Sequence, residues 1–463
     1  MPTTQDTASA PAAAPNAAAT AAPSAPLEAN RAQPFEGARD TVVPRPRIPV
    51  VDRTVPPEDL WERMRQGFAM PDLDNALVRE KMAYYAARPE YLQRIFDRSR
   101  MYLFHIVEEL EKRGMPTELA LLPMVESAFN PMAYSSAHAS GLWQFIPGTG
   151  KRFELQQNWW YDGRRDIVDS TNAALDYLQY LYEMHGDWHL ALASYNWGEN
   201  AVARAIEKNR RAGKPTDYSH LTMPLETRHY IPKLQALKNI VTNPEPLGIT
   251  LDRIPNQPYF ATYTKLRDID VQLAAKLADM SVDQFMALNP GFSRPLIRAS
   301  VTPRIVLPVD KVDVFHENLQ NLDEKSLVSW QTYYPKKGDT LESIAKKYGM
   351  TVSHLKEVNG ISQRSRALPG VMVVPANRSA ALGMTRLPIM YAPPIPITYR
   401  RIYHTVKPGE TLASIARRFR VSLDDMKRWN PKGAIAGKQV AMEVRSTKPK
   451  PRAKAKGKPR RAS

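Results

Sequence analysis

Residues Lys337–Asn359 (KGDTLESIAKKYGMTVSHLKEVN) and Pro408–Asn430 (PGETLASIARRFRVSLDDMKRWN) repeat one another without a gap. Gly338 matches Gly409, Thr340 matches Thr411, Ile344 matches Ile415 and Asn359 matches Asn430, each pair 71 residues apart. No other feature constrains the fold as strongly, because a short unit that recurs in register implies separate small modules of one topology. In both copies Thr-Leu-x-x-Ile-Ala begins an amphipathic helix whose Thr is placed to cap a free backbone N–H. A turn leads to a second helix ending at Asn, and a β-branched strand follows, at Val371–Pro375 and at Gln439–Val444. A weaker third copy lies upstream at Asp270–Pro290, where Asn289 stands 70 residues before Asn359, but the Gly-Asp/Glu-Thr opening is gone.

These units resemble LysM modules, small βααβ domains that bind N-acetylglucosamine-containing glycans. The resemblance covers about residues 331–377 and 401–446. It implies glycan contacts from Gly338, Asp339, Thr340 and Asn359 in one module, and from Gly409, Glu410, Thr411 and Asn430 in the other. For the third copy, within residues 246–330, it implies the fold and no binding role. Leu387–Thr398 (LPIMYAPPIPIT), between the two clear modules, reads as a stiff extended spacer.

The rest of the 463 residues exceeds what one ordinary core holds. From Pro56 to about Ile240 the pattern is helical with few convincing strands. In Tyr91–Leu110 the positions Leu92, Ile95, Phe96, Leu103, Ile106, Val107 and Leu110 form one stripe, which predicts a helix closed by Gly114, with Pro116 opening the next. The ends differ in kind. Residues 1–26 are dominated by Ala and Pro and cannot bury enough apolar surface to fold. Residues 445–463 carry nine Lys/Arg and no acid, a large part of the net charge of +17. A solvated tail is the simpler reading; as a binding element it would suit anionic wall polymers or phospholipid headgroups. No nucleic-acid motif accompanies it.

The chain has no Cys, which removes thiol catalysis, disulfides and Cys-ligated zinc. No apolar run is long enough to span a bilayer, and the N-terminus lacks the pattern of a signal peptide, so export would need a signal that this sequence does not display.

The chemistry concentrates in Gly114–Phe145. If Pro116–Phe129 is a helix, Leu119, Leu122 and Glu126 share a face and apolar residues cover the others, so Glu126 is a buried acid. Burial raises a carboxyl pKa, which suits a group that must protonate a leaving oxygen. A buried Glu paired with an Arg or a backbone donor fits the same pattern. Asp162, Asp166 and Asp169 offer a second carboxylate, although helix capping and ion pairing with Arg164 and Arg165 is the simpler account. His185 and His189 stand four apart, but with Gly186 after the first and no Glu between them no metal site is expected. Gly148-x-Gly150-Lys151 lacks the spacing of a phosphate loop. Trp143 reads as core; of the adjacent Trp159 and Trp160, one is free to face a cleft.

Four motifs in order, Glu126-Ser127-x-Phe129 with Ser135, Gly141-Leu142-Trp143-Gln144-Phe145-Ile146-Pro147, Ala193-Ser194-Tyr195-Asn196-Trp197-Gly198 and Glu226-Thr227-Arg228-His229-Tyr230, are similar to the signature of the lytic transglycosylases. The resemblance implies a mainly α, goose-type lysozyme-like catalytic domain that needs no cofactor and cleaves peptidoglycan, with Glu126 as its single acid/base. It further implies sugar contacts from Ser135 and Gln144, an apolar wall at Ile146, cleft positions for Tyr195 and Asn196, and a Tyr230 that reaches Glu126 or the substrate. Ser194 and Trp197 depart from the family's usual small residues. A water-using muramidase and a non-catalytic wall-binding protein are the competing readings.

The chain then divides into a disordered segment (1–50), a helical extension (51–112), the lysozyme-like domain (113–245), the degenerate LysM-like domain (246–330), a LysM module (331–377), a Pro-rich linker (378–400), a second LysM module (401–446) and a basic disordered tail (447–463). Such an enzyme belongs in the periplasm or cell envelope, in association with the outer membrane; the sequence carries no signal for oligomeric state.

Overall fold

The computed structural model describes residues 57–264, 267–376 and 399–445, apart from 420, 422 and 432. The Ala/Pro-rich N-terminal segment, the spacer Leu387–Thr398 and the basic tail 447–463 lie outside the described residues.

Helix α1 (Leu60–Gln66) begins where the Asp59 carboxylate accepts the Trp61 N–H, and it buries Leu60, Trp61 and Met64. After α2 (Ala76–Ala86), the stripe expected as one helix is divided into α3 (Pro89–Ser99) and α4 (Leu103–Lys112). Every stripe residue is buried all the same. The break has a local cause: the Ser99 hydroxyl donates to the Phe96 carbonyl at 2.7 Å, and Tyr102 turns inward to donate to the Ala287 carbonyl at 2.9 Å.

The segment expected as a single helix from Pro116 to Phe129 is also divided. Thr117–Leu121 is a 3₁₀ turn, and α5 (Leu122–Ser127) follows it. Pro123 explains this, since it has no N–H to bond the carbonyl four residues back. Ala128 and Phe129 then both take φ of 51°, a left-handed pair that ends α5 abruptly just beyond Glu126.

After α6 (Pro147–Arg152), two long helices frame the domain: α7 (Ile167–His185), capped by Asp166, and α10 (Leu225–Thr242). Between them runs α8 (Trp188–Trp197), whose Ala191, Leu192 and Ala193 are fully buried; α9 (Glu199–Arg211) follows through Gly198. No described helix is long and apolar enough to cross a membrane.

Beyond residue 250 the βααβ plan appears three times. Strand β1 (Phe260–Tyr263) pairs antiparallel with β4 (Ile305–Pro308) around α11 (Val271–Leu277) and α12 (Val282–Leu288), with a short extra pair β2 (Ile269–Asp270) and β3 (Leu296–Ile297). Strand β5 (Trp330–Tyr333) pairs with β6 (Met372–Pro375) around α14 (Leu341–Lys347) and α15 (Val352–Val358), the helix α13 (Val312–Gln320) lying before it. In the last unit β7 (Tyr399–Thr405) pairs with β8 (Gln439–Arg445) around Leu412–Phe419 and Leu423–Trp429.

Asn289, Asn359 and Asn430 do the same work in the three units. Each amide donates to the carbonyl four residues back and to a strand carbonyl, and its Oδ1 accepts a strand N–H. For Asn359 the partners are Leu355 and Val373, at 2.9, 2.9 and 2.6 Å. This clamp ties the end of the second helix to the last strand, and it is what the repeated Asn encodes.

The first unit is docked on the helical domain. The Asp162 N–H donates to the Gly291 carbonyl, the Ser293 N–H to the Trp160 carbonyl, and Arg165 Nη2 to Ser293 Oγ at 2.8 Å. Gly291 is required here, because a Cβ would stand 2.5 Å from the Tyr161 ring. The tryptophan pair packs against the second unit as well as the first. Trp159 and Trp160 pack with Leu296, Trp330, Val358 and Val373, so neither is left for a cleft.

Candidate active site

Glu126 sits in the last turn of α5, just past Leu121, Leu122 and Met124, which are almost wholly buried, and is itself half-buried. Burial pushes its carboxyl up to about 7. The nearby charge of Glu226 adds to that rise, while the hydrogen bond from Tyr230 and the charge of Lys233 oppose it. Tyr230, buried on α10, donates its hydroxyl to Glu126 Oε1 across 104 residues of sequence. That bond leaves the other carboxyl oxygen without a partner among the described residues.

A loop faces α5 and is pinned from both sides. The Ser127 hydroxyl donates to the Leu142 carbonyl at 2.9 Å. Ser135 Oγ accepts the Ala139 N–H at 3.1 Å, so the hydroxyl keeps its own proton to give. Gln144, at φ of 49°, donates both amide protons to the carbonyls of Ala133 and Gly141, which leaves its Oε1 to accept. From beneath, Arg164 Nη1 donates to the carbonyls of His138 and Phe145, and the guanidinium pairs with Asp162 at 2.8 Å, fully buried. The Gly141 backbone rests on Arg164: a Cβ there would lie 2.1 Å from the Arg164 carbonyl oxygen.

The third wall is α8. Tyr195 donates to the Trp143 carbonyl at 2.8 Å, and Asn196 Oδ1 accepts the Thr227 hydroxyl at 2.8 Å, joining α8 to α10. The Trp143 ring is wholly buried and bonds Thr171, as its core reading requires. Ile146 is 43% exposed, an apolar surface at the start of α6. Ser194, one departure from the family pattern, is buried and meets the half-buried His185 Nε2 at 2.7 Å. His189 faces the Pro71 carbonyl instead. The two histidines do not converge.

Asp162, Asp166 and Asp169 are all engaged elsewhere. Asp162 holds Arg164; Asp166 caps α7, accepts the Tyr161 hydroxyl and pairs with Arg304; Asp169 pairs with Arg304 at 2.6 Å. Two other acids had no role assigned from the sequence, Glu226 being quoted only within its motif. Glu226, one turn before Tyr230 on α10, is the carboxylate whose charge presses on Glu126. Glu118 is fully buried in the same segment as Glu126 and accepts the Ala69 and Met70 N–H groups, with Lys238 Nζ 3.0 Å away. Hydrophobic spacing around Glu118 gives no sign of those partners.

In the LysM modules the residues expected to meet glycan build the turn. Gly338 and Gly409 take φ of 96° and 83°. Thr340 and Ser343 cap α14 reciprocally, and Thr411 and Ser414 exchange the same two bonds. Asp339 accepts the Lys336 N–H and the Tyr333 hydroxyl, while Glu410 accepts the Lys407 N–H and lies 2.6 Å from His404 Nε2. Asn359 and Asn430, also expected to meet glycan, are engaged within their own modules. Their amides are spent on the helix–strand clamp, because that is where the chain has backbone groups to satisfy.

A mainly helical domain carrying the half-buried Glu126 and followed by three βααβ units is an arrangement that transglycosylase and LysM family models match. The family model described as Transglycosylase SLT domain matches residues 105–217. The model described as Lytic transglycosylase MltD, LysM-like domain, matches residues 261–324, and the LysM domain matches 336–370 and 404–436. Membrane-bound lytic murein transglycosylase D of Escherichia coli (strain K12) is 35% identical over 386 residues, 81% of this chain and 83% of that one. Membrane-bound lytic murein transglycosylase C of Haemophilus influenzae (strain PittEE) is 31% identical over 127 residues, 24% of this chain and 36% of that one. The chain belongs to the lytic murein transglycosylase family. It is an enzyme of that class with peptidoglycan-binding LysM modules.

Proposed function

We propose that Glu126 serves as both acid and base in cutting the β-1,4 bond between N-acetylmuramic acid and N-acetylglucosamine. The observation that carries this is a carboxyl held near a pKa of about 7, with one oxygen bonded by Tyr230 and the other open. Protonated Glu126 gives its proton to the glycosidic oxygen as the bond to the muramyl C1 breaks. The muramyl N-acetyl group steadies the cation. The carboxylate then takes the proton of the 6-hydroxyl, whose oxygen closes on C1 as a 1,6-anhydro ring, and no water is consumed. Ser135 donates to the sugar and Gln144 Oε1 accepts from it, Ile146 packs against it, and Tyr195 and Asn196 shape the cleft by fixing the loop and α10. Asp162 and Arg164 hold the loop that carries Ser135 and Gln144.

A muramidase reading draws on Glu226, the carboxylate whose charge acts on Glu126, as the group that would activate a water. Mass analysis of fragments from purified peptidoglycan decides between them. Anhydro ends, one water lighter than hydrolysed ends and absent with Glu126→Gln, are the expected result; hydrolysed ends overturn it. The LysM modules raise the local concentration of strand at the cleft by tethering. The membrane-bound relatives support a place of work at the cell envelope.

A further inference from the structure

The step from α8 to α9 leaves a feature that the cleft residues do not use. A pocket of about 290 Å³ is lined by Trp197, Arg204, Lys208, Asn209 and Thr222. A second depression of about 650 Å³ along α9 shares Arg204 and Lys208. The cations of α9 divide sharply. Arg210 and Arg211 both pair with Glu207, at 2.7 and 2.8 Å. Arg204 and Lys208, four apart on one exposed face, have no side-chain hydrogen bond or ion pair among the described residues. Asn209 is committed, its amide donating to the carbonyls of Pro215 and His220.

Trp197 completes the pocket. It follows Asn196, whose Oδ1 is tied to Thr227, and Tyr195, whose hydroxyl is tied to Trp143. Gly198, at φ of 95°, turns the chain immediately after it. The indole is half-buried, stacks on no other ring, and its Nε1 has no partner among the described residues. By contrast, Trp143 bonds Thr171 and Trp188 stacks on Tyr182. An open indole beside two unpaired cations suits a ligand with an apolar body and negative charge. A neutral sugar accepts hydrogen bonds from the cations but brings no charge to answer theirs.

We propose that Trp197, Arg204 and Lys208 form a subsite for the carboxylate-bearing stem peptide on the glycan strand. This rests on the reading that the strand lies along Tyr195 and Asn196, one residue away. Arg204 and Lys208 meet the stem carboxylates, and the Trp197 face covers the aliphatic part of the stem.

The test compares three strands: native stems, stems whose carboxylates have been chemically amidated, and strands stripped by an amidase, which retain only the lactyl carboxylate. The wild-type enzyme is expected to cleave native strands about tenfold better in kcat/KM than amidated ones, and added salt shrinks that ratio. In the Arg204→Gln/Lys208→Gln double variant the ratio falls to about one, with the loss in KM rather than kcat. A wild-type preference for stripped over amidated strands would move the ligand from the stem to the lactyl carboxylate and overturn the stem assignment. Equal wild-type cleavage of native and amidated strands, or an equal fall on both in the double variant, overturns the subsite. Failure to release anhydro ends from any strand is a separate outcome that strikes the cleavage chemistry instead.

Discussion

The turn at Thr117–Leu121 and the helix Leu122–Ser127 each carry one glutamate, eight residues apart, Glu118 fully buried and Glu126 half-buried, and treat it in opposite ways. Glu118 is enclosed with two backbone N–H donors and the Lys238 ammonium, so its charge is fully answered. It fastens the chain after α1 to the domain. Glu126 receives one hydrogen bond, from a neutral phenol, and lies within reach of another acid. Burial without compensation keeps a proton on it near neutral pH. A buried acid is therefore structural or chemical according to what surrounds it, and residue type alone does not distinguish the two.

Exchanging each acid for its amide should separate the roles. Glu126→Gln lowers the cleavage rate by about 10³-fold or more, because the amide has no proton to give, while Glu118→Gln leaves the rate of the folded fraction within a few-fold; assays on purified strands, normalised to folded protein, check both. In chemical unfolding Glu118→Gln costs about 3 kcal/mol, since a buried ion pair is broken on one side. Glu126→Gln should stabilise. The folded pKa of about 7 lies above the reference value of 4.5, so the wild-type fold loses stability as pH rises from 4.5 to 7 and stays lowered beyond. The amide escapes that loss, and its advantage, absent near pH 4, grows to at most about 3 kcal/mol above pH 7. An unfolding series across pH that shows no divergence would mean Glu126 is compensated as Glu118 is. The smallest change is Tyr230→Phe, which removes a donor to the carboxylate: turnover drops about tenfold and the alkaline limb of the pH–rate profile moves to higher pH.

Much of this architecture was legible because its signals are local. Capping at Thr340 and Thr411 links residues three apart, and the buried stripe of α3 and α4 needs only helical spacing. Pro123 carried the information that the segment ahead of Glu126 would divide, although the apolar run around it masked the effect. The Asn repeat was readable as a pattern, but its purpose was not, because the strand carbonyl it bonds lies 14 residues on in one module and 11 in another. The expectation that one of Trp159 and Trp160 faces a cleft had no means of including Trp330 and Val373, which pack against them from about 170 and 210 residues further along the chain.

The sequence by itself determined the modules, their register, the order of the four motifs and the presence of an acid in an apolar run. The motifs and the repeat are read directly along the chain, and the acid's setting from backbone periodicity, which dictates which side chains share a face. Tertiary structure alone decided which acid would be left uncompensated. Tyr230 comes from 104 residues away, and Lys238 reaches Glu118 from the same helix, α10. A carboxyl pKa is set by the dielectric and charges within a few ångströms, and only the folded chain brings those groups that close.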